Sequence, residues 1–150
     1  MLRDDINSDL KTAMKAGQAR RVSTLRLVNA AILARETSGA ERVTLGTAEI
    51  VDVMGKMIKQ RQESLGIYEQ AGRAELAAQE REEIEIISAY LPKQMSDLEA
   101  AGAISTLIKE IEAETLKDMG RTMAALKQRF SGRMDFAKAG AHVKKLLGGS

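Results

Sequence analysis

Residues 47–68, TAEIVDVMGKMIKQRQESLGIY, carry Ile50, Val51, Met54, Met57, Ile58, Arg61, Leu65 and Tyr68 on one broad helical face. Apolar positions that return every three or four residues over such a length define a helix with one buried side. Thr47 is the expected N-cap, because a threonine hydroxyl can accept an orphan amide of the first turn. Gly66 is too weak a break to end the pattern, and Ala71-Gly72 is the expected stop.

The same period continues on both sides. Leu2, Ile6, Leu10 and Met14, with Ala13 beside them, predict a first helix that ends at Gly17. Val22, Leu25, Val28, Ala31 and Ile32 predict a second, from near Arg20 to Ser38-Gly39, and residues 39–46 read as a loop. A fourth helix is expected from Arg73 to Leu91, polar through AAQEREE and then apolar at Ile84, Ile87 and Leu91. Pro92 closes it, because the residue before a proline avoids the α region.

Beyond Pro92, Ser96-Asp97-Leu98-Glu99 is a capping box, and the helix it opens is expected to reach about Glu114. Thr115 with Asp118 starts a sixth helix that turns Met119, Met123, Leu126 and Phe130 inward and breaks at Ser131-Gly132. Asp135 caps a seventh, with Phe136, Val143, Leu146 and Leu147 apolar. Aromatic residues make up only 3% of the chain and proline occurs once, so strands lack their preferred residues and the fold class is all-α. Pro92 and Lys93-Gln94 mark the expected boundary between a helical N-terminal domain of long helices, residues 1–92, and a small three-helix domain, residues 93–150.

Charge separates along the chain. Residues 1–115 hold 15 Lys/Arg against 19 Asp/Glu, a balance of −4, whereas residues 116–150 hold 8 against 2, a balance of +6. Lys117, Arg121, Lys127, Arg129, Arg133, Lys138, Lys144 and Lys145 are therefore the candidate RNA-contacting residues, suited to tracking phosphates. Solvated lysines and arginines are also ordinary on helix faces and near helix C-termini. Phe130 and Phe136 fall at core positions, so no aromatic platform is expected for unpaired bases, and any RNA contact would be to backbone and folded shape. Arg20, Arg21 and Arg26, and Lys56, Lys59 and Arg61, read as the polar side of a bundle before they read as a second patch.

Several chemistries are excluded. Without cysteine there is no disulfide, thiol nucleophile or Cys-ligated metal, and one histidine, His142, does not make a zinc site. No metal, no cofactor and no catalytic residue is expected. Glu80, Glu82, Glu83 and Glu85 read as a solvated acidic face, and Met54, Met57, Met119, Met123 and Met134 as core filler. No run approaches the roughly 20 apolar residues of a membrane span. The N-terminus MLRDDINSDL is acidic where a secretory signal is apolar, so a cytoplasmic location is expected.

Arg21-Val22-Ser23-Thr24-Leu25-Arg26-Leu27, Ile58-Lys59-Gln60-Arg61-Gln62-Glu63-Ser64, Tyr68-Glu69-Gln70-Ala71-Gly72-Arg73, Ala89-Tyr90-Leu91-Pro92-Lys93-Gln94, Lys117-Asp118-Met119-Gly120 and Gly132-Arg133-Met134-Asp135 follow one another in the order and spacing of the GatB/YqeY family, which the chain resembles over nearly its whole length. Phe136-Ala137-Lys138 departs from the small or glycine-rich continuation of many relatives. The resemblance implies a stand-alone YqeY-like protein whose residues 93–150 are similar to the tail domain of the B subunit of the tRNA-dependent amidotransferase. In that enzyme the tail helps to grip tRNA, while amide transfer takes place in a catalytic body that this chain lacks. It implies tRNA as partner and a non-catalytic adaptor role. The alternative is a protein-interaction module for a translation or amidotransferase component, without RNA affinity. A third reading, carbon–nitrogen ligation with glutamine as amido donor, lacks a P-loop and a Ser/Lys amidase signature in the sequence.

Overall fold

The computed structural model describes residues 1–148. It is all-α, as expected, with seven α-helices and no strand among the described residues. They divide into two compact units, residues 1–91 and the chain from Pro92 onward.

The first unit contains α1 (Leu2–Ala16), α2 (Ala19–Glu36), α3 (Thr47–Gln70) and α4 (Ala74–Ser88). Ile6, Leu25, Val28, Ile32, Leu45, Ile50, Val53, Met54, Met57 and Ile87 form its core. α1 ends at Gly17, whose φ of 70° is left-handed, so that the Gly17 and Gln18 amides turn back to the carbonyls of Met14 and Ala13. Gly72, φ 71°, plays the same part after α3. The stripe expected on α1 holds at Ile6 but fails at Met14, which is 51% exposed. A four-residue repeat drifts about 40° per step around a 3.6-residue helix, and Ala13 takes the inward place instead.

The start of α3 differs from expectation. Gly46, with φ −83° and ψ 177°, is the N-cap and Thr47 is already helical. The preceding loop is held elsewhere: Leu45 is buried, and its amide donates to the Glu36 carboxylate at 2.9 Å while Arg3 pairs with the same carboxylate at 2.5 Å. With the chain fixed one residue before Gly46, the turn into the helix falls on the glycine. At the other end of the unit α4 stops at Ser88, short of the expected Leu91. The Tyr90 and Leu91 amides bond to the carbonyls of Ile87 and Ser88, tightening the chain ahead of Pro92. Tyr90 donates its hydroxyl to Asp9 of α1 at 2.5 Å.

The second unit contains α5 (Asp97–Glu110), one 3-10 turn (Leu116–Asp118), α6 (Met119–Arg129) and α7 (Phe136–Leu147). Ile104, Leu107, Ala113, Leu126, Met134, Ala139, Val143 and Leu147 are its core, with Met119, Met123, Phe130 and Phe136 packed against it. The capping box at Ser96 is formed in both directions, 3.1 and 3.2 Å. α5 ends at Glu110 rather than near Glu114 because Glu112 turns left-handed, φ 54°, which delivers Ala113 into the core and its amide to the Ile108 carbonyl. Asp135 caps α7 by accepting from the amides of Ala137 and Lys138. Leu146, expected inside, is 43% exposed, since Leu147 stands closer to the line of Val143 and fills the space.

The acidic run of α4 is not uniformly solvated. Glu83 is buried and accepts from Arg61 of α3 at 2.9 Å, and Arg61 also donates to the Met57 carbonyl at 3.2 Å. Glu80 is half-buried, and burial, with the neighbouring Glu83 charge, pushes its pKa up. A pair this enclosed punishes loss of one partner far more than replacement of both. Arg61→Met is expected to lower the unfolding free energy by about 3 kcal/mol, and adding Glu83→Leu to recover most of it. Urea unfolding midpoints of the two variants decide this; a double variant no better than the single one counts against it.

Candidate nucleic-acid interface

All eight candidate cations belong to the second unit, and the structure uses them in two ways. Arg121 is committed to a helix junction: Nε donates to Asp118 Oδ1 at 3.0 Å, Nη1 to the Ile111 carbonyl at 2.7 Å and Nη2 to the Glu112 carbonyl at 3.3 Å. It thereby satisfies carbonyls left open where α5 ends. Arg129 of α6 pairs with Glu110 of α5 at 2.5 Å. Arg133, half-buried, donates to the Lys93 carbonyl at 3.2 Å, and the Met95 amide returns to the Arg133 carbonyl at 2.8 Å. A count of charges along the chain groups these three arginines with the lysines, because it registers neither the carbonyls that Arg121 and Arg133 meet nor the Glu110 carboxylate that Arg129 meets.

Lys117, Lys127, Lys138, Lys144 and Lys145 are different. Each is exposed, and none has an ion-pair or hydrogen-bond partner among the described residues. Lys138 and Lys145 stand two turns apart on the side of α7 away from buried Val143, with exposed Ala141 between them. Lys144 follows Gly140 by one turn, and Gly140 faces Met123 of α6. Lys127 follows Met123 by one turn on α6. Lys117 lies in the 3-10 turn before α6.

Asp118 organises the end of this surface. Its Oδ2 accepts from the Glu114 amide at 2.8 Å and the Thr115 amide at 3.2 Å. The Glu114 and Thr115 amides and then the Arg121 guanidinium hold its pKa down at about 2. In the motif Lys117-Asp118-Met119-Gly120, Asp118 is thus architectural. Gly120 has open space where a side chain would stand, so close helix approach does not explain it.

Of the cations singled out in the N-terminal half, three pair within the bundle: Arg20 with Glu82, Lys56 with Asp52 and Arg61 with Glu83. His142 is half-buried on α7. No helix among the described residues is long and apolar enough to cross a membrane. No group of His, Asp and Glu suited to a metal ion occurs among them.

A helical chain whose second unit exposes unpaired lysines, without an exposed aromatic ring in that unit, is a candidate binder of polyanion backbones. Residues 3–147 match the family described as Yqey-like protein, and the chain belongs to that family. It is similar to "Altered inheritance of mitochondria protein 41, mitochondrial" of Clavispora lusitaniae, 32% identical over 114 residues, covering 75% of this chain and 65% of that protein. The protein of the same name from Lachancea thermotolerans is 31% identical over 110 residues, 72% of this chain and 58% of its own length. The chain thus spans less than two thirds of either relative.

The Asp118 junction gives a pH test. A pKa below the ordinary 3.8 means that the carboxylate stabilises the fold above that pH, and the contribution is lost as the pH falls from 3.8 through about 2. Asp118→Asn is expected to be less stable at neutral pH and to show a shallower stability decline across that window. Chemical unfolding of both proteins over a pH series reads the difference; parallel curves would contradict it.

Proposed function

We propose that this protein is a non-catalytic, tRNA-associated adaptor whose basic tail, residues 93–150, acts as a domain that meets folded RNA through charge and shape. The observation that carries the reading is the exposure of five lysines without anionic partners within residues 116–150, a stretch whose balance is +6. Phosphates would supply the missing counter-charge, and their contact releases bound cations from the RNA. Phe130 and Phe136 pack against the core, which leaves base stacking without a platform there. The family's likeness to the amidotransferase tail supports tRNA as the RNA, and the cytoplasmic setting expected from the sequence belongs to the same proposal. The names of the two relatives refer to mitochondria, and what they do there is not carried over to this chain.

The test is equilibrium binding of the full chain to unmodified tRNA and to an unstructured RNA of equal length, at several salt concentrations. Tighter binding to tRNA is expected, and Lys138→Glu with Lys145→Glu is expected to weaken it by about tenfold or more with helical content unchanged. Binding to tRNA no better than to the unstructured RNA would sink the reading and favour a protein partner.

A further inference from the structure

We infer that the lysines alone, and not the arginines beside them, form the ligand-contacting surface, and that this surface seats the sugar–phosphate backbone of double-helical RNA. The inference rests on the RNA reading above and deepens it. Arg121, Arg129 and Arg133 direct their donors into the unit's own carbonyls and carboxylates. Drawing Arg121 away would leave the Ile111 and Glu112 carbonyls unpaired, and drawing Arg129 away would leave the Glu110 carboxylate facing a phosphate. Lys117, Lys127, Lys138, Lys144 and Lys145 carry no such cost.

Their placement argues for a rigid duplex. Lys138 and Lys145 are separated by seven residues of one helix, about 10.5 Å along its axis, and Ala137 and Ala141 keep the surface near them low. Lys144 adds a third exposed charge on α7, and Lys127 one on α6. Side chains rooted at set points on packed helices keep their charges within reach of phosphates whose own spacing is fixed, as in a stem. A flexible single strand has to be ordered on binding and is ordinarily held by stacked bases, for which the unit has no exposed ring.

The numbers are checkable. Five phosphate contacts on a duplex give a slope of log K against log salt of about −4.5, or about a 500-fold loss between 50 and 200 mM salt. The experiment measures the full chain binding an RNA stem–loop and an unstructured RNA of equal length over that range, for the wild type and for Lys127→Gln, Lys138→Gln, Lys145→Gln and Lys11→Gln. Lys11, exposed on α1, is the control, because it changes the net charge equally at a distant place in the sequence. Each tail variant is expected to make the slope shallower by about 0.9, Lys11→Gln to leave it unchanged, and the stem–loop to bind more tightly than the unstructured RNA. Stem–loop binding with slopes that the tail variants do not change, or change no more than Lys11→Gln, overturns the lysine surface while the RNA reading stands. Equal affinity for the two RNAs overturns the duplex assignment. Absence of binding to tRNA and to both test RNAs overturns the RNA reading and this inference with it.

Discussion

Every helix leaves unpaired amides at its start and unpaired carbonyls at its end, and how this chain satisfies them decides which of its charges stay available to anything outside. At the turn from α5 to α6 the donors of Arg121 meet the Ile111 and Glu112 carbonyls, while Asp118 receives the Glu114 and Thr115 amides and binds Arg121 itself. One ion pair thus closes both the end of one helix and the start of the next. Asp135 and Ser96 close two further starts. In the first unit Glu36 is the counterpart, holding the Leu45 amide and Arg3 together and so anchoring the one long loop before α3. Its pKa is held down first by the Leu45 amide and then by Arg3, against the effect of burial.

The consequence is a division of labour between the two kinds of cation. A guanidinium is planar, has five donors and suits several fixed acceptors at once, as at Arg121. An ammonium is a compact charge on a flexible stem, which gains little from a single carbonyl and stays in water. Arg121 and Arg133 of the tail are drawn into the architecture, Arg129 stands in a surface pair with Glu110, and the five lysines of residues 116–150 are left on the outside. In the first unit Arg61 stands in the enclosed pair with Glu83, whereas Arg20, Arg35 and Lys56 stand in surface pairs. Surface pairs of that kind contribute little to stability.

The sequence made the helices legible because period and caps are local. Ser96-Asp97-Leu98-Glu99 and Asp135 act in the structure as their spacing requires, and Gly17 ends α1 through a backbone conformation that its identity foretells. Two of the errors lie where a distant residue decides. Gly46 displaces Thr47 as a cap because Leu45 is held by Glu36, nine residues earlier, and Glu83 is buried because Arg61 lies across the α3–α4 hairpin. Neither signal is present in a window of one helix. The candidate site shows the same divide: the eight cations could be named from composition, but their separation into engaged arginines and free lysines depends on carbonyls at Arg121 and Arg133 and on a carboxylate from another helix at Arg129, to which a reading of residue types is blind.

On the proposed RNA reading, that separation would also limit what the surface recognises. Lysine reads a phosphate as a point charge and discriminates poorly among base sequences, whereas bidentate arginine contacts to base edges are the commoner source of sequence specificity. With its arginines engaged, a tail that bound RNA would draw selectivity from where its charges stand. Lys138 and Lys145 are fixed by α7, which Asp135 caps at one end and Val143 and Leu147 anchor along its length. Shape selectivity of this kind therefore depends on the packing behind the lysines as much as on the lysines themselves. A change at buried Val143 that loosened α7 would blur the spacing of charges it never touches.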